Sequence, residues 1–396
     1  MRRVVVTGFG IVCSIGNNVK LFFDGISNHL CGIDKITLFD TENLDVHIAA
    51  EVKNIETHRV DRKIDFALYA AQEAMEMAKE KEFNTTTLLH IGSSLETVDF
   101  SALYSLPNLD NIDISLLSKY QNQRIPLDTA GRLLIAQYGN PRLFLNNVSA
   151  CAIGTQTIGH AFHAIRSGQY DKALAGGFDS MLNPIGLGGF QKLGALSPDG
   201  CFPFDSRRAG LVLGEGAAMI FLESLESAIN RRKKIYAEVC GYGASLDAYS
   251  LSAPSEDGTG AKRAMLAAID DAKMTPDLID LINCHATGTY LNDPVEAKAI
   301  QEVFGSRFST IPVVALKSQI GHLIGAAGAV EFVSCLYSLL TNKIPANIGL
   351  KNVGRDCDLH HIRIEDNNLW SGNTILSNSF GFGGQNSCIV LRRYSE

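Results

Sequence analysis

Several patterns that would place a chain in a common class are missing from this sequence. Its nine cysteines are scattered and form no Cys-x-x-Cys pair, so neither a zinc site nor a disulfide framework is predicted and no metal is expected. The formal net charge is −7, which gives no general attraction to nucleic acid or to an anionic membrane. No Gly-x-Ser-x-Gly motif is present, which argues against an α/β-hydrolase.

Targeting and membrane-spanning segments are also missing. Residues 1–8 pass directly into an apolar strand pattern without the longer hydrophobic region and cleavage site of a signal peptide, so we expect a cytoplasmic protein. The most apolar stretch, residues 323–340, contains Glu331 and is rich in glycine and alanine, which favours a core helix over a membrane span. No Pro/Gly/Ser-rich linker divides the 396 residues, so the chain should pack as one body.

Short β-branched runs alternate with helical patterns along the chain, which predicts a layered α/β fold. Strands are expected at 4–6, 88–91, 143–148, 173–175, 217–222, 236–240, 280–283, 313–316, 362–364, 374–376 and 387–391, and helices at 66–78 and 153–165. A weak internal echo links Cys151-Ala-Ile-Gly to His322-Leu-Ile-Gly, each followed by a helical pattern. Either a duplicated α/β unit or chance similarity between two Gly/Ala-rich helices explains it.

Cys151 lies where an apolar run turns into a small-residue helix start, Asn147-Val-Ser-Ala-Cys-Ala-Ile-Gly. The partial positive charge and unpaired N–H groups of a first helical turn favour a thiolate and can also hold an oxyanion. A nucleophile and part of its oxyanion hole would then share one turn. The alternative is that Cys151 is a small buried apolar residue, as most free cysteines are.

Three further segments carry polar side chains at the ends of apolar runs. His285 follows the strand pattern at 280–283, and Lys317 precedes His322 by five residues in a strand-to-helix turn. A glycine-rich turn, Asn-Ser-Phe-Gly-Phe-Gly-Gly-Gln-Asn, spans residues 378–386, where glycine permits positive φ and close approach to a ligand. Each segment alone is equally compatible with a structural role.

Taken together in this order, the motifs resemble the β-ketoacyl-acyl-carrier-protein synthases of the thiolase superfamily, KAS I/II type and closest to KAS II. The family's Ala-Cys-x-x-Gly motif matches 150–154, its His-Gly-Thr-x-Thr motif matches 285–289, and its Lys-x-x-x-Gly-His motif matches 317–322. The resemblance covers essentially the whole chain. It implies a layered αβαβα architecture of two pseudo-duplicated halves, which we place at residues 1–235 and 236–396.

The resemblance also implies roles for the matched residues. Cys151 would accept an acyl chain from an acyl carrier protein, and its backbone N–H and that of Phe382 would hold the oxyanion. His285 and His322 would stabilise the enolate formed when malonyl carrier protein loses carbon dioxide. Lys317 would organise His322 with Glu296 as its carboxylate partner, and Asp293 would lie near them. The product would be a 3-oxoacyl carrier protein two carbons longer.

Substrate and partner contacts follow from the same resemblance. The pantetheine would contact Thr287 and Thr289, and Ser252 would also bind the substrate. Phe190 would line the acyl pocket, and Phe382 would gate it. Arg62-Lys63 and Arg207-Arg208 are candidate docking patches for the acidic carrier protein. No bound cofactor is expected, since phosphopantetheine arrives on the carrier protein. A homodimer is expected, with a heterodimer containing a chain-length subunit as the alternative.

Two questions stay open at this stage. A noncatalytic chain-length subunit shares the family's fold, but such subunits lack the active cysteine, and Cys151 is present. Ala286 and Gly288 depart from the family's usual wording, and residues 106–132, where relatives shape the acyl pocket near the dimer interface, match poorly. Fatty-acid synthesis is therefore only slightly favoured over a specialised polyketide or polyene pathway.

Overall fold

The computed structural model describes residues 1–98 and 124–395. Its strands are β1 Val4–Val12, β2 Asp34–Lys35, β3 Ile48–Ala49, β4 Thr87–Gly92, β5 Thr97–Val98, β6 Arg124–Ile125, β7 Leu143–Asn147, β8 Lys172–Ser180, β9 Glu215–Ser224, β10 Ala237–Leu246, β11 Leu281–Asn283, β12 Pro312–Val314, β13 His360–His361, β14 Thr374–Gly381 and β15 Gln385–Arg392. Its α-helices are α1 Val19–Ser27, α2 Arg62–Met77, α3 Thr129–Tyr138, α4 Ile153–Arg166, α5 Pro184–Lys192, α6 Leu225–Asn230, α7 Thr259–Asp271, α8 Asn292–Phe304, α9 Lys317–Ile320 and α10 Ala327–Thr341.

The main sheet repeats one pairing pattern in both halves of the chain. Its order is β13-β12-β11-β14-β15-β10-β1-β9-β8-β4-β7. In the first half β1 pairs antiparallel with β9 and β9 with β8, while β8, β4 and β7 run parallel. In the second half β10, β15, β14, β11 and β12 repeat this arrangement in the same chain order. An antiparallel β1–β10 pair joins the halves, so the predicted duplication is confirmed.

Helices form three layers around the two halves of the sheet. The central helices α4 and α10 contact each other and strands of both halves, whereas α2 covers β1, β8 and β9 and α7 covers β10, β14 and β15 on the outside. This is the predicted αβαβα order. Because both halves share one sheet, the predicted domain boundaries at 1–235 and 236–396 stay a prediction.

Small residues let the two central helices approach closely. A Cβ on Gly154 would lie 2.4 Å from the backbone nitrogen of Ala329, and a Cβ on Gly328 would lie 2.3 Å from the Thr155 hydroxyl. Gly154 and Gly328 hold the same place near the starts of α4 and α10, so the contact is reciprocal about a pseudo-twofold axis. Among the described residues, one helical stretch, Ile324–Thr341, is long and apolar enough to cross a membrane, and 89% of it is buried in the protein.

The internal echo in the sequence is real but shifted by three residues. Short 3₁₀ turns, Ala150–Ala152 and Ile324–Ala326, lead into α4 and α10. Each turn begins at a non-glycine residue with positive φ, 47° at Ala150 and 44° at Ile324. The counterpart of Cys151 is therefore Gly325, and His322 lies before the turn.

One predicted strand is misplaced. The strand expected at 362–364 is found at His360–His361, where it pairs in parallel with Pro312 and Val313. The chain then turns, because the Asp366 carboxylate accepts the backbone N–H of Arg363 at 2.7 Å.

Candidate active site

Cys151 lies in the 3₁₀ turn between β7 and α4 and is 3% exposed. Its Sγ is 3.1 Å from Nε2 of His322. His322 reaches this point because its own backbone N–H donates to the Val212 carbonyl at 2.7 Å, which ties the turn before α10 to the neighbouring segment. Cysteine and histidine, 171 positions apart in the chain, thus meet across the two halves.

His285 follows β11 and faces His322. The two imidazole rings have centroids 5.2 Å apart at an interplanar angle of 81°. One ligand atom from each of Cys151, His285 and His322 lies within 4.8 Å of the others, so these buried side chains form one constellation that also has the donors of a metal site. The sequence-based expectation of no metal stays a prediction.

Two carboxylates of α8 hold the segment that carries His285. Glu296 accepts the backbone N–H groups of His285 and Ala286 at 2.8 and 2.7 Å. Burial raises the pKa of Glu296 to about 7, against the lowering effect of these hydrogen bonds. Asp293 accepts the backbone N–H of Gly288 at 3.1 Å. Both side chains therefore fix the backbone next to the site, with Ala286 at a φ of 33°.

Lys317 is paired with Glu331 and not, as the sequence suggested, with Glu296. The Lys317 ammonium and the Glu331 carboxylate form an ion pair in which both side chains are 1% exposed. Glu296 is occupied by backbone donors and by the Asn378 amide at 3.1 Å. In the sequence Glu331 was only an isolated charge in an apolar helix, and this isolation was the one signal that could have found it.

Lys317 also fixes the tautomer of His285. Its Nζ donates to the His285 carbonyl at 2.5 Å and lies 3.3 Å from His285 Nδ1. An ammonium group can only donate, so Nδ1 must accept and the proton must reside on Nε2. His285 therefore offers an Nε2–H donor to the site. Lys317 was predicted to organise His322, whereas its hydrogen bonds go to His285.

Burial sets the protonation of the three reactive groups. Desolvation and the Lys317 charge hold the pKa values of His285 and His322 well below the usual value, so both are neutral imidazoles at pH 7. Burial raises the pKa of Cys151 to about 11, although a bond from the Phe382 N–H and the Lys317 charge oppose it. The pKa of Cys151 therefore favours the thiol over the expected thiolate, because desolvation outweighs the Phe382 N–H bond and the Lys317 charge.

The Phe382 loop closes over Cys151. Phe382 begins a 3₁₀ turn in which Gly383 has a φ of 78°, a left-handed conformation that suits glycine. The Phe382 ring stacks on Phe190 of α5 with centroids 6.3 Å apart. Phe190 also packs against the apolar cluster that contains Cys151. Phe190 therefore links the Phe382 ring to this cluster.

A cavity of about 260 Å³ leads to the constellation. Cys151, His285 and His322 line it together with Thr287, Thr289, Ser252 and Phe382. The hydroxyls of Thr287 and Thr289 are hydrogen-bonded to each other at 2.9 Å, so one of the two O–H groups remains to donate to a polar ligand in the cavity. The structure thus brings the predicted pantetheine contacts to the same opening.

A packed apolar cluster around Cys151 was not found from the sequence. Its apolar side chains come from five separate segments of the chain: Ile36, Ala49, Met181, Leu182, Leu187, Leu211, Leu213 and Ile324. No local pattern links residues so distant in sequence. Residues 106–123 of the poorly matching stretch, where an acyl pocket wall was expected, lie outside the described residues.

Burial removes one of the two cations of the first predicted docking patch. The Lys63 side chain is 4% exposed, pairs with Asp61 at 3.4 Å and donates to the Leu95 carbonyl at 2.6 Å. Arg62 donates to the Val52 carbonyl at 2.6 Å and pairs with Glu215 at 3.3 Å. Lys63 is therefore buried and unable to reach a partner, whereas Arg62 is 16% exposed with its guanidinium engaged by Val52 and Glu215.

The second docking patch is closer to the cavity mouth. Arg207 is exposed, forms two bonds to Asp205 and stacks over the Phe202 ring at 4.4 Å. Arg208 is half-buried and donates to the Asp205 carbonyl at 3.3 Å. The next residue, Ala209, lines the cavity.

Comparison with known proteins gives a full-length match to one family. The family model of the beta-ketoacyl synthase N-terminal domain matches residues 1–228, and that of the C-terminal domain matches residues 236–351. The chain is 36% identical over 411 residues to "3-oxoacyl-[acyl-carrier-protein] synthase 2" of Staphylococcus aureus (strain COL), covering 99% of each sequence.

Two solved structures are similar over nearly the entire chain. One is the ishigamide ketosynthase/chain length factor, with a TM-score of 0.88, 32% identity and 100% coverage of both chains. The other is a type II polyketide ketosynthase in complex with its acyl-carrier protein and bound to the hexaketide, with a TM-score of 0.88, 30% identity and coverage of 99% of this chain and 100% of that chain.

Proposed function

The chain belongs to the β-ketoacyl synthase family of condensing enzymes, and we propose that it joins an acyl group held on Cys151 to a malonyl unit delivered by an acyl carrier protein. The observation that carries this proposal is the 3.1 Å contact between Cys151 Sγ and His322 Nε2, with His285 facing the same cavity. Phosphopantetheine enters on the carrier protein. A cytoplasmic location is part of the same proposal.

In the first half-reaction Cys151 attacks the thioester of an acyl carrier protein. Because its pKa is raised to about 11, the thiol must lose its proton during attack, and neutral His322 is within reach to accept it. A bond forms between Sγ and the acyl carbonyl, the bond to the phosphopantetheine sulfur breaks, and that sulfur leaves with the proton. Backbone N–H groups of Cys151 and Phe382 bind the oxyanion.

In the second half-reaction malonyl carrier protein loses its carboxylate. The carbon–carbon bond breaks, carbon dioxide leaves and the electron pair forms an enolate, whose oxygen accepts a hydrogen bond from the Nε2–H group of His285. His322 donates a second hydrogen bond in the tautomer that carries its proton on Nε2. The α-carbon then attacks the acyl thioester, Cys151 Sγ departs and takes up a proton from water. The assignment of an Nε2–H donor to His285 by Lys317 supports this role.

For carrier-protein docking we propose Arg207 and Arg208, because the cavity mouth lies beside them. The acyl chain would displace side chains of the apolar cluster around Cys151 after Phe382 and Phe190 separate. Fatty-acid elongation and polyketide or polyene elongation both fit this chemistry. The acyl group retained on the enzyme distinguishes them.

The test is condensation by the purified chain alone. Acyl carrier protein and malonyl carrier protein should give a 3-oxoacyl carrier protein that is two carbons longer, read by intact mass. Cys151→Ala should give none. Product that forms only with a second subunit and is unchanged by Cys151→Ala would favour the noncatalytic chain-length role.

A further inference from the structure

The pseudo-twofold axis relates the surroundings of Cys151 to a second site in the molecule. Asp179 lies at this symmetry-related site. Strands β8 and β14 are counterparts in the duplicated sheet, and each carries a phenylalanine near its end, Phe178 and Phe380. The next residue is Asp179 in β8 and Gly381 in β14. Asp179 thus takes the place of Gly381.

At the active site, a glycine keeps the start of the helical turn open. A Cβ on Gly381 would lie 3.1 Å from the backbone nitrogen of Cys151 and 3.4 Å from that of Ala152. These N–H groups belong to the turn that holds the proposed oxyanion. Any side chain at residue 381 would therefore crowd the position where a substrate oxygen is expected.

At the symmetry-related site, a carboxylate fills the corresponding space. One Asp179 oxygen, Oδ2, accepts the backbone N–H of Gly325 at 2.8 Å and that of Ser94 at 3.3 Å. The other, Oδ1, accepts the N–H of Ser180 at 3.0 Å, and the residue is 0% exposed. Gly325 is the counterpart of Cys151, so Asp179 binds the N–H that corresponds to the oxyanion donor.

Cys151 and His285 have no reactive counterparts at this symmetry-related site. Gly325 stands where Cys151 stands in the first half. In the first half His90 pairs with Ala175, and in the second half Asn283 pairs with Ser377. His90 and Asn283 are therefore counterparts. Two residues further along each strand, the counterpart of His285 is Gly92. Lys63 and Asp61 are the charged groups that act on Asp179 from the start of α2.

We propose that Asp179 is a positioning residue that closes the duplicated anion site and thereby fixes the turn from His322 to Gly325. Ile324, between them, has a φ of 44°, a conformation that is strained for a β-branched residue and requires support from its surroundings. The Asp179–Gly325 hydrogen bond supplies that support immediately after Ile324. This inference rests on the proposed function, because its purpose is to hold His322 against Cys151.

The test compares Asp179→Gly and Asp179→Asn with the wild type in the condensation assay. Asp179→Gly should lower kcat about tenfold to a hundredfold, as expected for a displaced reactive group, with little change in KM. Sodium formate should restore part of kcat by placing a carboxylate in the vacated site, and sodium chloride at equal ionic strength should not. As the matched control, Asp280→Gly also removes a carboxylate that accepts two backbone N–H groups, and it should show no formate effect.

The outcomes separate this inference from the proposed function. A folded Asp179→Gly variant with wild-type kcat, or with a loss that formate does not restore, overturns the inference. If that variant does not fold, Asp179→Asn decides. The Asp179 charge contributes to the raised pKa of Cys151, so the asparagine variant should be alkylated at lower pH, and an unchanged profile with unchanged kcat overturns the inference. A wild type that does not condense refutes the proposed function instead, while the alkylation profile still reports on Asp179.

Discussion

At the residue scale, Cys151 is a neutral thiol next to a neutral base, His322. Burial raises its pKa to about 11, and the same burial keeps the pKa of His322 low. Proton transfer between the two groups therefore has to accompany substrate attack. A thiol held in this way is protected from oxidation until substrate is present, since the thiolate is the reactive form.

This protonation state predicts the pH dependence of alkylation. The rate of Cys151 modification by iodoacetamide should keep rising between pH 9 and about 11, because the thiolate fraction increases until pH passes the raised pKa. Site-resolved peptide mass spectrometry measures it, with free N-acetylcysteine as the control thiol. A rate that is already constant above pH 8 would show a stabilised thiolate.

Glu331 shows what the sequence could and could not reveal at this scale. The Cys, His and Lys residues are recognisable because each lies in a motif of fixed local spacing. Glu331 pairs with Lys317 fourteen residues away, and the pairing depends on how α9 and α10 pack. The prediction that Lys63 docks the carrier protein is wrong for the same reason, because tertiary contacts decide whether a side chain is exposed.

Removing the Glu331 charge should therefore be costly. Glu331→Gln leaves the buried Lys317 ammonium without its counter-charge, and we expect a loss of about 3 kcal/mol in the free energy of unfolding together with lower kcat. Glu302→Gln breaks the exposed Lys262–Glu302 pair and should change stability by less than about 0.5 kcal/mol. Urea denaturation measures both. Equal effects for the two variants would contradict the assignment.

At the element scale, local sequence patterns predict the strands and helices, whereas they do not predict the turns that connect them. Hydrophobic periodicity located the central strands and α2 and α4. It did not locate the 3₁₀ turns at Ala150–Ala152 and Ile324–Ala326, because positive φ at Ala150 and Ile324 is imposed by packing between the halves. The sequence echo consequently pairs Cys151 with His322. In the structure the counterpart of His322 is Val148.

Close packing of α4 on α10 gives a test at this scale. Gly154→Ala would place a Cβ 2.4 Å from the Ala329 nitrogen, so the helices must separate, and stability should fall by about 2 kcal/mol with loss of condensation. Gly188→Ala in α5 meets open space and should stabilise the chain by about 0.5 kcal/mol. Thermal unfolding of both variants decides it. An unchanged melting temperature for Gly154→Ala would contradict the packing account.

At the scale of the whole molecule, the sheet ends in an edge strand with exposed apolar side chains. β7 pairs only with β4 among the described strands, and its Leu143 and Leu145 are each 40% exposed. A partner strand would cover this edge, which otherwise favours uncontrolled association. The expected homodimer is consistent with such a covered edge.

The dimer expectation can be tested by a charge at this edge. The wild type should have twice the 42.9 kDa chain mass by light scattering, and Leu145→Lys should shift it toward the monomer. Leu278→Lys is the control, because Leu278 is also exposed but lies on the 3₁₀ turn before β11. A monomeric wild type, or a dimer unaffected by Leu145→Lys, would contradict this placement.

The central claim is that Cys151 carries the acyl chain, and intact mass spectrometry after incubation with acyl carrier protein tests it most directly. The account predicts a mass increase equal to one acyl group, located on the Cys151 peptide and lost in Cys151→Ala. The acyl chain already carried on Cys151 after expression, read in the same way, would identify the natural substrate. An unmodified wild type, or an adduct that persists in Cys151→Ala, would contradict the claim.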